Sequence, residues 1–227
     1  GEGGGVMAVR TVELFDLSEC PVPWAFEEKQ YPWEVLPEIG RLVRELAAEL
    51  SHDYTQASEH VWVGRGTVIA PNVVLVGPAV IGPNCELRPG AYIRENVIVG
   101  EGVVIGNSTE LKNAILFNGV QVPHFNDVGD SILGAGAHLG AGAICSNFKS
   151  TKDHIKVRTA HEVINTGLRK FGALLGDRAE VGCGAVLNPG TVVGRDSIIY
   201  PLCSVRGVVP ARSIMKSAGC VVPRLEA

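Results

Sequence analysis

Much that would define other classes of protein is missing from these 227 residues. No apolar run reaches the roughly 20 residues that a membrane-spanning helix needs, and no charged-then-apolar segment opens the chain. A membrane span and a secretory signal are therefore not expected. The net charge is only −4 and no block of five like charges occurs. That excludes the electrostatic footprint of a nucleic-acid partner or an anionic membrane surface. None of the six cysteines has a CxxC partner, and no two histidines stand at the i, i+4 spacing of a helical metal site. Neither a structural zinc site nor any other metal site is expected. Aromatic residues make up only 6% of the chain.

Glycine, by contrast, is abundant at 28 residues, and its placement follows a rule. Every sixth residue from Val63 is large and apolar: Val63, Ile69, Leu75, Ile81, Leu87, Ile93, Val99, Ile105, Leu111 and Phe117. Two positions before each rung stands a small or β-branched residue, such as Ala79, Cys85, Ala91 and Val97. Gly64, Gly82, Gly100 and Gly106 directly follow rungs. The ladder returns at Leu175, Val181, Leu187, Val193, Ile199 and Val205. Period six fits neither a helix nor a free amphipathic strand. It fits a chain that turns a corner with every hexad, with three hexads to a triangular coil. Residues three hexads apart then stack one strand spacing apart, about 4.8 Å. The expected fold is all-β, a left-handed parallel β-helix of hexapeptide repeats. Cys85 and Cys203 occupy small inward positions, where a thiol acts as a small hydrophobe. A reduced, cytoplasmic protein is expected.

Three parts follow in chain order. Residues 1–57 form an N-terminal extension with a short α-helical cap. Within it, Gly1–Gly5 reads as an expression remnant or a disordered leader. Leu36, Ile39, Leu42, Val43, Leu46 and Leu50 recur at helical spacing, which predicts a helix from about Glu34 to Leu50, interrupted or started by Pro37. Its expected role is to cover the open end of the β-helix, whose strand edges would otherwise be unpaired. Residues 58–210 form the β-helix. The ladder slips by one position twice, between Phe117 and Val122 and between Val128 and Leu133, and function is expected near such breaks. From 146 to 172 the hexads vanish, which predicts an insertion, either a hairpin or an arm leaving the solenoid. Residues 211–227 form a C-terminal tail.

Candidate chemistry clusters near the breaks. Arg88, Arg94 and Lys112 stand where a rung is often followed by glycine. Lys112 comes three full hexads after Arg94, so the two should stack on one corner. Such a pair would suit a phosphate or pyrophosphate, unless Glu95 and Glu110 simply offset it. His124 follows Pro123, which restricts the backbone, and an imidazole can take a proton from an attacking amine near neutral pH. His138 comes shortly afterwards, just past Gly136.

The stretch from Leu87 to Lys149, with GNSTELKN, PHFNDVGDS and LGAG in combination, resembles a known family. It is similar to the acetyltransferase half of bifunctional N-acetylglucosamine-1-phosphate uridyltransferases, and closer to archaeal sugar-1-phosphate nucleotidylyltransferase/acetyltransferases. INTGLRKFGALLGDRAEVGCGAVLNPGTVVG resembles the latter too. The resemblance implies N-acetyl transfer from acetyl-CoA to a hexosamine 1-phosphate by a homotrimer, with CoA between neighbouring solenoids. It implies His124 as the catalytic base and Lys112 as the phosphate-binding lysine, with Arg88 or Arg94 as its partner. His138 matches a sugar-contacting position, Asn147 one near the acetyl group, and Ala141 and Cys183 positions near acetyl-CoA. Phe148 replaces a common Tyr beside that cofactor site. Asp127 stands where the family usually has Tyr, and pairs with Arg94 or Lys112, holds the substrate ammonium, or orients His124. Segment 1–57 lacks a Gly-rich nucleotide loop and is too short for a uridyltransferase domain, so nucleotidyl transfer is not expected. A non-catalytic, sugar-nucleotide-binding relative is the alternative, suggested by Asp127 and Phe148.

Overall fold

The computed structural model describes residues 8–225; Gly1–Gly5 lies outside them. The hexads close into coils whose walls are short strands, most of them two to four residues long. The rungs point inward and are buried: Ile81, Leu87, Ile93, Val99, Ile105 and Leu111 are all essentially inaccessible, with Ala79, Cys85, Ala91, Val97 and Val103 beside them. This is the all-β, left-handed parallel β-helix that the ladder predicts.

Three parallel faces result. The first runs through Val61–Gly64, Ala79–Ile81, Val97–Val99, the ends of Glu110–Leu116 and Asp127–Leu133, Ala173–Leu175, Thr191–Val193 and Val208–Val209. The second runs through Val68–Ile69, Glu86–Leu87, Val104–Asn107, Gln121–His124, His138–Leu139, Glu180–Val181, Ile198–Ile199 and Ser213–Ser217. The third begins at Val74–Leu75 and Tyr92–Ile93. It continues through the starts of Glu110–Leu116 and Asp127–Leu133 to Ile144–Cys145, Val186–Leu187 and Ser204–Val205.

Most coils hold three full hexads, as in the pairing Ala79↔Val97. Two are shorter by a single position, from Val97 to Ala114 and from Ala114 to Ser131, and the last, from Val192 to Val208, is shorter by two. In the first two the position is lost at the corner between the third and first faces, where Asn113 and Asp130 take left-handed φ of 48° and 49°. The second break thus falls where the ladder puts it, between Val128 and Leu133. The first falls earlier than expected. Leu116 is the inward rung, paired with Val99, and Phe117 faces outward, its ring centroid 5.0 Å from that of Phe15.

The N-terminal extension does not sit over the open end. A 3-10 stretch, Pro32–Glu38, leads into helix α1, Ile39–Ala48. Pro37 lacks the N–H an α-helix would use there, so the expected single helix is divided. Ile39, Leu42 and Val43 of α1 and Phe15, Phe26 and Trp33 before it form one buried cluster with the outward side chains of the first face. Those side chains, Val80, Ile98, Ile115, Ile132, Leu174 and Val192, are apolar where a solvated face would carry polar residues. They require a cover, and the extension supplies it along the flank. The end itself is met by Tyr54–Ser58, antiparallel to Val61–Gly64, and the far end by Cys220–Pro223, antiparallel to Ser213–Ser217.

The insertion is a hairpin. First-face pairing jumps from Ile132 to Leu174, more than twice the length of a regular coil, and the excess is the inserted chain. Within it, Lys156–Arg158 pairs with Val163–Asn165. Ile155, Val157 and Phe171 are buried in the same flank cluster. The segment lies down as a continuation of the cover.

Candidate active site

The candidate residues fall on two corners separated by the third face. The corner between the second and third faces carries Asn107, His124, Ala141 and Cys183 in one column. Main-chain bonds link the coils: Phe125 N to Asn107 O at 2.8 Å, Gly142 N to His124 O at 3.0 Å, and Gly184 N to Ala141 O at 2.8 Å. Three positions picked out by the sequence are therefore brought together here. His124 is exposed. Its backbone is fixed by Asn126, which is buried: His124 N donates to Asn126 Oδ1 at 3.1 Å. The amide of Asn126 donates to the carbonyls of Gly140 (2.9 Å) and Ala143 (3.0 Å) in the next coil. Arg88 lies on this side, paired with Glu86 at 3.1 Å.

The corner between the third and first faces carries Asn96, Asn113, Asp130 and Asn147. Here the register Ile93↔Leu111 puts Arg94 in column with Lys112, as their three-hexad spacing requires. The two cations do not share an anion. Arg94 pairs with Glu110 (3.3 Å) and Glu95 (3.4 Å), and Lys112 with Asp130 (3.2 Å). Asp130 is buried and also accepts from Asn113 Nδ2 at 3.0 Å and Asn147 Nδ2 at 2.7 Å. Asn147 and Lys112 thus meet around a carboxylate that the motif contained but spacing alone did not single out. Phe148, next to Asn147, is exposed and bridges to Lys170.

Between the corners, Asp127 lies opposite Glu110 on one side and Ile144 on the other. Among the described residues it pairs with neither Arg94 nor Lys112, whose partners are Glu95, Glu110 and Asp130. Partial burial, then the Glu110 charge, push its carboxyl upward, and Arg94 pulls it down less strongly. His138 is on the second face, opposite Gln121 and Glu180, in the strand that leads to Ala141.

All six cysteines are free. Burial pushes Cys20 and Cys145 up to about 12, so neither supplies a thiolate nucleophile. Cys183 is exposed on the His124 column. Among the described residues no group of three metal-ligating side chains occurs, and no helix is long and apolar enough to cross a membrane.

Parallel coils, a covered first face and two polar corners define a hexapeptide-repeat β-helix protein with a candidate site on its third face. The family model for the GMPPB C-terminal domain matches residues 75–167. The relatives that this chain matches include bifunctional proteins. A bifunctional protein GlmU from Methanococcus maripaludis is 30% identical over 209 residues, covering 91% of this chain and 51% of that protein. A bifunctional sugar-1-phosphate nucleotidylyltransferase/acetyltransferase from Sulfurisphaera tokodaii is 32% identical over 143 residues, covering 63% of this chain and 34% of that protein. The chain thus spans about half, or less, of the length of the curated relatives it matches. Among solved structures, the acetyltransferase domain of PglB from Neisseria gonorrhoeae with acetyl coenzyme A aligns over 81% of this chain and 66% of its own, at 16% identity and a TM-score of 0.32.

Proposed function

We propose that this chain is an acetyl-CoA-dependent N-acyltransferase that acts on an amino-sugar phosphate such as glucosamine 1-phosphate. The observation that carries this reading is the column of His124, Ala141 and Cys183 on one corner of the third face, whose other corner carries Arg94 and Lys112. The acceptor amine attacks the thioester carbonyl of acetyl-CoA. His124 accepts the proton that the nitrogen loses as the new C–N bond forms. The C–S bond breaks and CoA leaves as a thiolate, which takes up a proton. Backbone N–H groups near Ala141 stabilise the oxyanion. The phosphate lies at Arg94 and Lys112, with Arg94 preferred to Arg88 because it shares the Lys112 column. Asn147 and Phe148 flank the acetyl group, and Asp127 meets the acceptor's ammonium before its proton is lost. His138 contributes from the second face.

The active form in this reading is a homotrimer, in which a neighbour closes the open third face over CoA. A cytoplasmic setting suits the six free thiols. The second reading, a non-catalytic sugar-nucleotide-binding protein, is favoured by one observation: Lys112 is already paired with the buried Asp130.

The test is release of free thiol from acetyl-CoA with glucosamine 1-phosphate as acceptor. Turnover that His124→Ala lowers by about 10²-fold or more, with the assembly unchanged, supports the first reading. Turnover unaffected by His124→Ala removes that residue from the mechanism. Binding of a sugar nucleotide without thiol release moves the function to the second reading.

A further inference from the structure

The corner holding Lys112 and Asn147 is wired to the flank cover. Asp130 is 4% exposed and takes three donors: Lys112 Nζ at 3.2 Å, Asn147 Nδ2 at 2.7 Å and Asn113 Nδ2 at 3.0 Å. The Asn113 amide nitrogen also donates, at 3.0 Å, to the carbonyl of Leu36 in the 3-10 stretch ahead of α1. Both hydrogens of that amide are thereby used. An unbroken path of hydrogen bonds runs from Leu36 through Asn113 and Asp130 to Lys112 and Asn147.

Two further observations bear on how firmly this path is held. Asn113 and Asp130 sit at left-handed φ, 48° and 49°, a conformation that persists where surrounding contacts over-determine it. The Asp130 carbonyl accepts from Gly172 N at 2.8 Å, where the inserted hairpin rejoins the solenoid. Both parts of the flank cover therefore touch this corner. A carboxylate so deeply buried is costly without its donors, which fixes their positions in turn.

We propose that Asp130 is a positioning residue for Lys112 and Asn147, and that Asn113 ties it to Leu36, so that the flank cover sets the geometry of the acceptor site. The proposal rests on the acyltransferase reading, because Lys112 and Asn147 are given roles only there. It differs from a merely structural role in one respect. A structural role lowers activity only as far as it lowers the folded fraction, whereas a positioning role changes the acceptor site in fully folded protein.

Two variants of the full chain separate these. Asn113→Gly keeps a residue at ease at positive φ while deleting both bonds. Asp130→Asn keeps the shape and tolerance of that φ, but turns an acceptor oxygen into a donor facing other donors. Each is followed by steady-state acetyl transfer to glucosamine 1-phosphate. Each is also followed by mass-spectrometric labelling with an amine-reactive reagent, reading Lys112 against exposed Lys152. The folded fraction is fixed by thermal unfolding.

Asn113→Gly is expected to lower kcat/KM about tenfold, with the loss falling on acceptor KM rather than kcat, and Asp130→Asn about 10²-fold. Lys112 labelling should rise several-fold in both while Lys152 labelling stays constant. Unchanged labelling and unchanged acceptor KM in folded Asn113→Gly would overturn the proposal, as would a loss of activity matched by loss of fold. If both variants raise Lys112 labelling as expected but the unsubstituted protein transfers no acetyl group, the functional reading falls and the wiring stands. If it transfers acetyl and Asn113→Gly changes nothing, the reading stands and the wiring falls.

Discussion

At the scale of single residues, one close approach constrains the corner that holds Asn147. Gly129 pairs with Lys112 across adjacent coils, and a Cβ there would lie 2.6 Å from Asn147 Nδ2. Gly129→Ala must push the Asn147 amide off Asp130. Acetyl transfer should fall about tenfold, the worth of one hydrogen bond to a charged group. Activity at the parent level would mean that Asn147 acts without that bond. Asp127 gives a prediction of the other sign. Its folded-state carboxyl titrates above its ordinary value of 3.8, so the native state holds that proton more tightly than the unfolded state does. Stability is lost as pH rises from that ordinary value through the raised one, and the deficit persists at neutral pH. Asp127→Asn removes it. The melting temperature at pH 7 should rise, by on the order of a degree because the side chain is only partly buried and solvent screens it, and the difference should vanish below the ordinary carboxylate range. An equal rise at low pH would show that packing, not charge, is responsible.

At the scale of elements, the flank cover is the feature that most changes how the chain is understood. Phe117 packs against Phe15 and Phe26, with ring centroids 5.0 and 6.1 Å away. Phe117→Ala should cost about 3–5 kcal/mol. The loss should appear first as loosening of the cover, with trypsin cutting at Lys29, Arg41 and Arg44 before it cuts the coils. Simultaneous digestion of both parts would show that cover and solenoid melt as one unit. The same element shows what could be read from the sequence and what could not. The coils, their period and the second break were legible because inward rungs repeat regardless of what lies outside. The cover's position was not, because α1 shows the same apolar spacing whether it sits on an end or on a flank. A clue was present in the middle residues of the first-face hexads: Val80, Ile98, Ile115, Ile132, Leu174 and Val192 are all apolar, whereas the other faces mix Glu86, Glu110 and Glu180 with apolar residues such as Val68 and Ile144. Phe117 misled for a related reason. It continues the hexad count, yet the coil has already lost a position at Asn113, so Leu116 takes the inward place. Of the candidate site, His124, Ala141 and Cys183 were singled out through the family resemblance; that they form one column was not legible, because the inserted hairpin lies between Ala141 and Cys183. Asp130 was not legible either, since a lone Asp in a motif gives no sign that Lys112, Asn113 and Asn147 converge on it.

At the scale of the whole molecule, covering one face of a triangular solenoid limits how copies can associate. The first face is occupied by the chain's own cover, so the proposed trimer is expected to use the second face, the third face or the corner between them. That corner carries Phe125 and Leu202, 61% and 82% exposed, in one column with Gly142 and Gly184 between them. Both are non-glycine residues at left-handed φ, 50° and 64°, and a large exposed apolar side chain at such a position is uncommon. Leu202 leans over Gly184, its Cδ2 2.8 Å from where a Cβ would sit there, and with Phe125 it gives this corner an exposed apolar edge beside His124. On the proposed reading, the double variant Phe125→Asp, Leu202→Asp should therefore convert a trimer to monomer in sedimentation experiments, and acetyl transfer should be lost with it. Arg41→Glu, on the solvent side of α1, should change neither property. A double variant that remains trimeric would place the interface elsewhere on the two open faces. A parent protein that sediments as a monomer would mean that the third face works uncovered, and that the acceptor and CoA must be held by a single chain.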